Sequence, residues 1–281
     1  MNYRHAFHAG NFADVFKHAV LCRVLVHLRA KPGAFRVIDT HAGAGLYDLA
    51  GPEASRSGEW RNGIARLRGA SLGTDIRTLL APYLDVVDAF NPGERLTVYP
   101  GSPALARAWL RPQDQLVACE LEPKAAAALA HHLRGDRKVR VVAIDGWTAL
   151  TAYVPPKERR GVVLIDPPFE RSGEFTRLFE RFTAAQRKWA GGVYVLWYPI
   201  KDRRQCDDFV RRIGRSGIGK ILRAELMIDE RADRLAGAGL ILVNPPWMLE
   251  RELRLLLPAL ASVLAPNGTG RSRLDWLARE N

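Results

Sequence analysis

The four residues Asp166-Pro167-Pro168-Phe169 directly follow the apolar run 162–165, at the end of a predicted strand. A carboxylate and a neighbouring backbone carbonyl can accept hydrogen bonds from an exocyclic amine and stabilise the charge that develops on its nitrogen during methyl transfer. The prolines lack N–H groups and restrict the chain, which keeps the carbonyls directed outward, and an aromatic ring can stack on an extruded base. We therefore predict methylation of an amine, with Asp166, Pro167 and Phe169 as catalytic residues. The alternative is a Pro-Pro turn with a capping aspartate.

A second copy of this pattern, Asn244-Pro245-Pro246-Trp247, follows another apolar run. Asn-Pro-Pro-aromatic also suits amine methylation, but this copy comes after the last of seven predicted strands, far from the predicted cofactor loop. We interpret it as structural, or at most as a wall of the substrate cleft.

A glycine-rich loop, Asp39-Thr40-His41-Ala42-Gly43-Ala44-Gly45, closes the first predicted strand. Its glycines allow the backbone to approach a bound cofactor closely. The dinucleotide fingerprint G-x-G-x-x-G is not met, because no third glycine follows at the required spacing. The loop therefore predicts a cofactor site and disfavours a nicotinamide-dependent oxidoreductase.

Acidic residues end the next two predicted strands. Glu120 directly follows its strand, where a carboxylate can accept hydrogen bonds from a ribose diol. Glu122 would point to the same face, but it precedes Pro123 and is interpreted as solvated. Asp145 and Gly146 close the third strand, where a carboxylate can hold an adenine amine.

The elements that position these residues alternate in type. Several strands are continuous apolar runs, which indicates strands buried on both faces of a largely parallel sheet, and helical patterns lie between most of them. We predict an open, doubly wound α/β sheet with helices on both faces and ligands at its carboxyl edge. The seven predicted strands are 35–39, 116–120, 139–144, 161–166, 192–198, 221–228 and 239–244.

The first two of these strands are about 75 residues apart, too many for one crossover. We predict an inserted helical subdomain at 49–98, and a methyltransferase domain formed by 1–48 and 99–281. An amphipathic helix with Asn11 as its N-cap is expected over 11–28. The basic residues after Gly270 are expected to lack regular structure apart from Trp276.

The 281-residue chain has a net charge of +12, which favours an anionic partner such as nucleic acid, although arginine-rich composition alone is the alternative. No membrane span or signal peptide is predicted, so we expect a cytoplasmic protein, and in the absence of a long apolar seam a monomer. The three cysteines are widely spaced and predict neither disulfides nor a zinc site. His5 and His8 alone are too few ligands for a metal site. Basic runs at 157–160, 201–204 and 211–212 are candidates to surround the cleft and bind phosphates. We expect at least one of the three to be only a solvent-exposed surface.

The sequence closely resembles the bacterial 23S ribosomal RNA adenine-2030 N6-methyltransferase J family, almost from end to end. The matching segments include residues 3–11, 17–18, 39–45, 99–103, 166–168, 196–199 and 244–247. The resemblance implies an α/β, Rossmann-like class I methyltransferase sheet with an inserted helical subdomain, S-adenosylmethionine as methyl donor, and N6-methyladenine in 23S rRNA as product. We expect no metal and direct methyl transfer to a flipped-out adenine.

The resemblance also implies a set of contacts. Family residues that contact the cofactor match His18, His41, Ser102, Glu120, Asp145, Gly146 and Asp166. Lys17, beside His18, and Gly43 of the glycine loop join this predicted set. Tyr3 matches a family residue that touches RNA, and Phe169 is expected beside it at the substrate. The family motif often ends in tyrosine, so Phe169 keeps the stacking face and lacks the hydroxyl.

Two further alternatives remain at this point. A DNA adenine methyltransferase would use the same motif order, but an insertion of about 50 residues is small for a target-recognition domain. A non-catalytic rRNA-binding assembly factor would not need the intact Asp166 motif.

Overall fold

An eight-stranded sheet forms the centre of the computed structural model, which describes residues 4–229 and 235–279. Its strand order is β10-β8-β9-β7-β6-β1-β4-β5, and β2 pairs separately with β3. The strands are β1 (Arg36–Asp39), β2 (Leu46–Asp48), β3 (Val98–Pro100), β4 (Gln115–Cys119), β5 (Val139–Val142), β6 (Gly161–Ile165), β7 (Val193–Ile200), β8 (Ile221–Met227), β9 (Gly237–Val243) and β10 (Arg271–Ala278).

The strands β5, β4, β1, β6 and β7 are parallel, whereas β9 runs antiparallel between β7 and β8. The parallel part carries the carboxyl edge predicted from the apolar runs, and the α/β fold class is confirmed. The expectation that the C-terminal residues lack regular structure is wrong, because β10 pairs antiparallel with β8. Buried Arg223 on β8 donates hydrogen bonds of 2.9 and 2.8 Å to Asp275 on β10. The charges that made this segment look unstructured are those of an edge strand.

Helices cover both faces of the sheet. On β6, Val162 and Leu164 pack into one apolar core with α1, α5 and α10, whereas Val163 and Ile165 face α7, α8 and α9. The helices are α1 (Phe12–Arg29), α2 (Pro52–Ser57), α3 (Arg66–Arg68), α4 (Thr74–Ala89), α5 (Ser102–Trp109), α6 (Pro123–His132), α7 (Gly146–Tyr153), α8 (Glu174–Lys188), α9 (Arg203–Gly214) and α10 (Leu249–Leu264).

Helix α1 positions part of the site. It begins as predicted after Asn11, whose side-chain oxygen accepts hydrogen bonds of 3.0 Å from the N–H groups of Ala13 and Asp14. Almost all of α1 is buried, including its polar residues Lys17 and His18. Burial of a charge is unfavourable unless the charge is paired, so the buried polar side chains of α1 require hydrogen-bond or ion-pair partners.

The segment 49–98 contains α2, α3 and α4, as expected of a helical insertion. Leu80 and Tyr83 of α4 belong to the same apolar core as Phe16 of α1. The division into a methyltransferase domain and an inserted subdomain stays a prediction. No helix in the described ranges is long and apolar enough to cross a bilayer.

Glu252 joins α10 to α1 and is expected to make the stability sensitive to acid. It accepts hydrogen bonds from Arg23 (2.9 Å) and His27 (3.0 Å). Burial opposes its ionisation, but these partners outweigh burial and lower the pKa of Glu252 from 4.5 to about 2. Because the folded pKa is depressed, its stabilisation is present above pH 4.5 and is lost as the pH falls towards 2.

We expect Glu252→Gln to lower the free energy of unfolding at pH 7 by on the order of 3 kcal/mol. Urea titrations of both proteins between pH 7 and 2 would measure this, and the difference should shrink below pH 4.5. The exposed pair Asp208–Arg211 offers a control, since Asp208→Asn should change stability by less than about 1 kcal/mol. A difference that does not depend on pH would contradict the assignment.

Candidate active site

The carboxyl ends of β1, β4, β5 and β6 open into one cavity of about 1630 Å³. It is lined by every cofactor or catalytic candidate proposed from sequence that the structure describes, namely Lys17, His18, His41, Gly43, Ser102, Glu120, Asp145, Gly146, Asp166, Pro167 and Phe169. Tyr3, the predicted RNA contact, lies outside the described residues. The structure thus brings the candidates together, while their individual roles stay predictions.

An ion-pair chain links α1 to the Asp-Pro-Pro-Phe motif. The ammonium of Lys17 donates to Asp14, at 2.9 Å, and to Oδ2 of Asp166. Lys17 is only 4% exposed and Asp14 only 2%. Burial opposes the ammonium, but the two carboxylates outweigh it and raise the pKa of Lys17 well above its usual range. Lys17 therefore stays protonated and serves Asp166 as a hydrogen-bond donor.

Asp14 was not singled out from the sequence, although its i,i+3 spacing from Lys17 on a helix is a recognisable signal. Its carboxylate also accepts hydrogen bonds from the N–H of Gly10 (2.9 Å) and from His5 (3.0 Å). Burial favours the neutral acid, but the charges of His5 and Lys17 outweigh it and hold the pKa of Asp14 well below its usual range. Asp14 thus ties the N-terminal segment to the Lys17 ammonium.

His18, the next residue of α1, is 1% exposed and lines the same cavity. Its Nδ1 lies 2.7 Å from the hydroxyl of Tyr99, and its Nε2 is buried with no hydrogen-bond partner among the described residues. Burial, assisted by the nearby Lys17 ammonium, lowers the pKa of His18 well below its ordinary value. The imidazole is therefore neutral, with one nitrogen available to a ligand.

The glycine loop is held against the neighbouring strand end. Gly43 has a φ of +62°, and its N–H donates to Glu120 at 2.8 Å. The other carboxylate oxygen of Glu120 accepts from the N–H of Glu122 at 2.8 Å, so the carboxylate is fixed at the cavity wall. Glu122 itself caps α6, accepting at 2.6 Å from the N–H of Ala125.

His41 and Gly146 are packed against each other between β1 and β5. The His41 ring lies edge-on to Trp147 with centroids 5.2 Å apart, and burial lowers the pKa of His41 to about 4. A Cβ at Gly146 would lie 2.2 Å from the carbonyl oxygen of Thr40, so no larger residue fits there. Close packing alone therefore accounts for this glycine, whether or not it also contacts a cofactor.

Ser102 and Asp39 form a buried pair behind the glycine loop. The Ser102 hydroxyl donates to Asp39 at 2.7 Å, and the other oxygen of Asp39 has no hydrogen-bond partner in the described ranges. Burial raises the pKa of Asp39 to about 7.

Phe169 adopts a left-handed conformation with φ of +50°, which is unusual for a bulky residue and marks a constrained position. Its ring contacts Phe175 at 4.9 Å and Trp197 at 5.8 Å between centroids, both edge-on. Trp197 of β7 also lines the cavity.

The second motif, which begins at Asn244, lies at the opposite ends of the parallel strands from the cavity. Because β9 is antiparallel to β7, its end at Asn244 meets the beginning of β7. The Asn244 amide donates to the carbonyl oxygens of Ala190 (2.7 Å) and Gly192 (2.8 Å), and Trp247 is 93% exposed, away from the cavity. This geometry supports the structural interpretation and excludes the motif from the described cavity.

The basic runs contribute less to the cavity than expected. Of their residues, Lys201 is the one that lines it within the described ranges. Arg160 donates to the carbonyl oxygens of Leu28 and Gly33, and Arg212 lies over the ring of Phe179 at 4.0 Å. Sequence reasoning missed the other cations at the cavity, Arg4, Lys124, Arg171 and Arg177, because each is isolated in the sequence.

No group of three or more histidine, cysteine, aspartate or glutamate side chains among the described residues could hold a metal ion. The described cysteines are buried and unpaired.

Comparison with known proteins shows the family of the chain. The model of the family described as "Ribosomal RNA large subunit methyltransferase D, RlmJ" matches residues 32–278, and the chain belongs to this family. It is 40% identical over 282 residues to the ribosomal RNA large subunit methyltransferase J of Escherichia coli K12, with 100% of both chains covered. The protein of the same name from Haemophilus influenzae is 37% identical, again over 100% of both chains.

Among solved structures, protein LPL1258 of Legionella pneumophila superposes with a TM-score of 0.88 and 33% identity. The match covers 96% of this chain and 98% of that one.

Proposed function

We propose that the protein transfers a methyl group from S-adenosylmethionine to the N6 amine of a flipped-out adenine in 23S ribosomal RNA. The observation that carries this proposal is the Asp166-Pro167-Pro168-Phe169 motif at the carboxyl end of β6, with Asp166 held at the cavity by Lys17. The full-length relatives, both named as methyltransferases of large-subunit ribosomal RNA, support the substrate class.

The residues at the cavity fit S-adenosylmethionine, which supplies an electrophilic methyl group on a sulfonium centre. The buried Nε2 of His18 has no partner among the described residues and needs one from a ligand. Glu120 is held where it can accept from the hydroxyls of a ribose, and Asp145, the N-cap of α7 after β5, can accept from an adenine amine. The residues that would hold the cofactor are Lys17, His18, His41, Gly43, Ser102, Glu120, Asp145, Gly146 and Asp166.

Asp166 is proposed to accept a hydrogen bond from the substrate amine through Oδ1, because Lys17 donates to Oδ2. The carbonyl of Pro167 accepts the second amine hydrogen, which favours the tetrahedral nitrogen needed for attack. Lys17 stays protonated and cannot act as a base. The excess proton on the methylated amine therefore leaves afterwards to Asp166 or to water.

The RNA is expected to approach the open side of the cavity. Lys201 and Arg171 line the cavity, are exposed, and can contact phosphates on either side of the extruded base. The net charge of +12 favours this approach at long range. We further propose that the protein acts as a monomer in the cytoplasm, and that Tyr3 contacts the RNA.

Phe169 is expected to hold the extruded adenine by stacking. Phe169→Ala should lower kcat/KM for RNA by about 10- to 100-fold, since stacking of a base on an aromatic ring contributes about 1–3 kcal/mol. Phe169→Tyr is the matched control, because it restores the family's more usual residue and keeps the ring. Steady-state methylation kinetics would measure both. Equal losses in the two variants would contradict a stacking role.

The proposed function is tested by transfer of labelled methyl from S-adenosylmethionine to unmodified 23S rRNA, 16S rRNA and adenine-containing duplex DNA. We expect label in 23S rRNA alone, recovered as N6-methyladenine. Label in DNA would agree with adenine methylation but would contradict 23S rRNA as the substrate. Measurable cofactor binding with no label in any of the three, or in precursor particles of the large subunit, would favour the non-catalytic assembly factor.

A further inference from the structure

A chain of three buried polar side chains, His18, Tyr99 and Tyr83, joins the cavity to helix α4. The Tyr99 hydroxyl lies 2.7 Å from Nδ1 of His18 and 3.0 Å from the hydroxyl of Tyr83. Both tyrosines are completely buried, and Nε2 of His18 has no partner in the described part of the chain. Neither tyrosine was among the candidate site residues.

The hydrogens of this chain can be distributed in three ways, because each hydroxyl and the neutral imidazole have one hydrogen to donate. In the first, Tyr83 donates to Tyr99, Tyr99 donates to Nδ1 of His18, and the imidazole hydrogen is on Nε2. Every hydroxyl hydrogen then has an acceptor, and only the Nε2–H remains for the cavity.

The other two distributions each leave a tyrosine hydrogen unused. If Nδ1–H donates to Tyr99 and Tyr99 to Tyr83, the hydrogen of Tyr83 has no acceptor among the described residues. If His18 and Tyr83 both donate to Tyr99, the hydrogen of Tyr99 has none. A buried hydroxyl without an acceptor pays its full desolvation cost, so the first distribution is favoured.

We propose that Tyr99 fixes His18 in the Nε2–H tautomer, so that His18 presents a neutral N–H donor to the carboxylate of S-adenosylmethionine. The identity of the ligand rests on the function proposed above. Tyr99 is thus a positioning residue for His18, and Tyr83, whose hydroxyl lies within hydrogen-bond distance of the Tyr99 hydroxyl, serves as the control.

The position of His18 favours the amino-acid end of the cofactor. His18 follows Lys17, which is bonded to Asp166 at the end of β6, whereas Asp145 follows β5, three strands away. That separation is roughly 14 Å at the usual strand spacing. The opposite tautomer would present a lone pair, which suits the cofactor's ammonium and not its carboxylate, so the tautomer decides which group is recognised.

The tautomer can be read in the ligand-free full-length protein by ¹⁵N NMR of labelled histidines, with His18→Gln identifying the His18 signals. We expect a protonated Nε2 and an unprotonated Nδ1 at neutral pH. Tyr83→Phe should leave this pattern unchanged, because the Tyr99 hydrogen still has only Nδ1 as acceptor. Tyr99→Phe should give a mixture of tautomers. A protonated Nδ1 in the unmodified protein would overturn the proposal, even if Tyr99→Phe failed to fold.

Calorimetric binding then tests the ligand group, with decarboxylated S-adenosylmethionine as a probe that lacks the carboxylate and keeps the ammonium. Tyr99→Phe should weaken S-adenosylmethionine binding by about two-fold when the two tautomers are equally populated, because only the Nε2–H form offers the donor, whereas binding of the decarboxylated probe should not weaken. Tyr83→Phe should bind both as the unmodified protein does. An equal loss for both ligands would overturn the carboxylate assignment.

The NMR result requires no methyl transfer. Absence of methylation would therefore not change the conclusion about the tautomer, and an Nδ1–H tautomer would not contradict the proposed methylation.

Discussion

Asp166→Ala is expected to lower kcat by about 10³-fold or more while S-adenosylmethionine binding falls much less. Removing one preorganised group that stabilises developing charge typically costs 10²- to 10³-fold, and Asp166 also orients the amine. The variant also leaves the Lys17 ammonium without one of its two carboxylates. Single-turnover methylation of 23S rRNA, with calorimetric binding of the cofactor, would separate the two effects.

The chain offers a matched control at the other edge of the sheet. Asn244→Ala removes the corresponding residue of the second motif and two hydrogen bonds to backbone carbonyls. We expect it to reduce the free energy of unfolding by about 1–3 kcal/mol and to leave kcat unchanged. Full activity of Asp166→Ala, or a comparable loss of activity in Asn244→Ala, would contradict the assignment of the catalytic motif.

Lys17→Met is expected to have the second-largest effect, on both stability and activity. The substitution leaves the buried Asp14 carboxylate without its Lys17 ion pair and removes the donor to Asp166. Breaking a buried ion pair by removing one partner costs about 3–5 kcal/mol. The free energy of unfolding should fall by this amount, and kcat by about 10²-fold because Asp166 loses its orientation.

A double variant separates the two consequences of losing Lys17. Adding Asp14→Asn to Lys17→Met removes the uncompensated charge, so a large part of the lost stability should return. The activity should not return, because Asp166 still lacks its donor. Denaturant titration and methylation kinetics on the single and double variants would measure this. Recovery of kcat together with stability would indicate that Lys17 acts only by supporting the fold.

The residues at the carboxyl ends of the buried strands could be predicted from the sequence, because local patterns show where such strands end. Apolar runs 162–165 and 116–119 indicate buried strands, and the polar residues that follow them, Asp166 and Glu120, must then lie at the carboxyl edge of a parallel sheet. The same reasoning failed for β10, where alternating arginines resembled an unstructured tail. An edge strand exposes much of its length, so charge is no guide to its structure.

The contacts between the site residues could not be predicted from local sequence patterns. Lys17 and Asp166 are 149 positions apart, and nothing in either local pattern indicates that they meet. The links from His18 to Tyr99 and from Tyr99 to Tyr83 likewise depend on how α1, β3 and α4 pack. The cations at the cavity were missed for the same reason, since isolated arginines carry no positional signal.

By itself the sequence therefore determined the fold class, the strand ends that meet at the cavity and, through its resemblance, the family to which the chain belongs. Strand order in the sequence favoured the first of the two Pro-Pro motifs, but the physical reason that the second lies away from the cavity came only from the tertiary structure. Both motifs follow apolar strands, but β6 is parallel to its neighbours, whereas β9 is antiparallel to both of its own. Strand direction depends on long-range pairing, and it places Asp166 at the carboxyl ends of the parallel strands and Asn244 at their opposite ends.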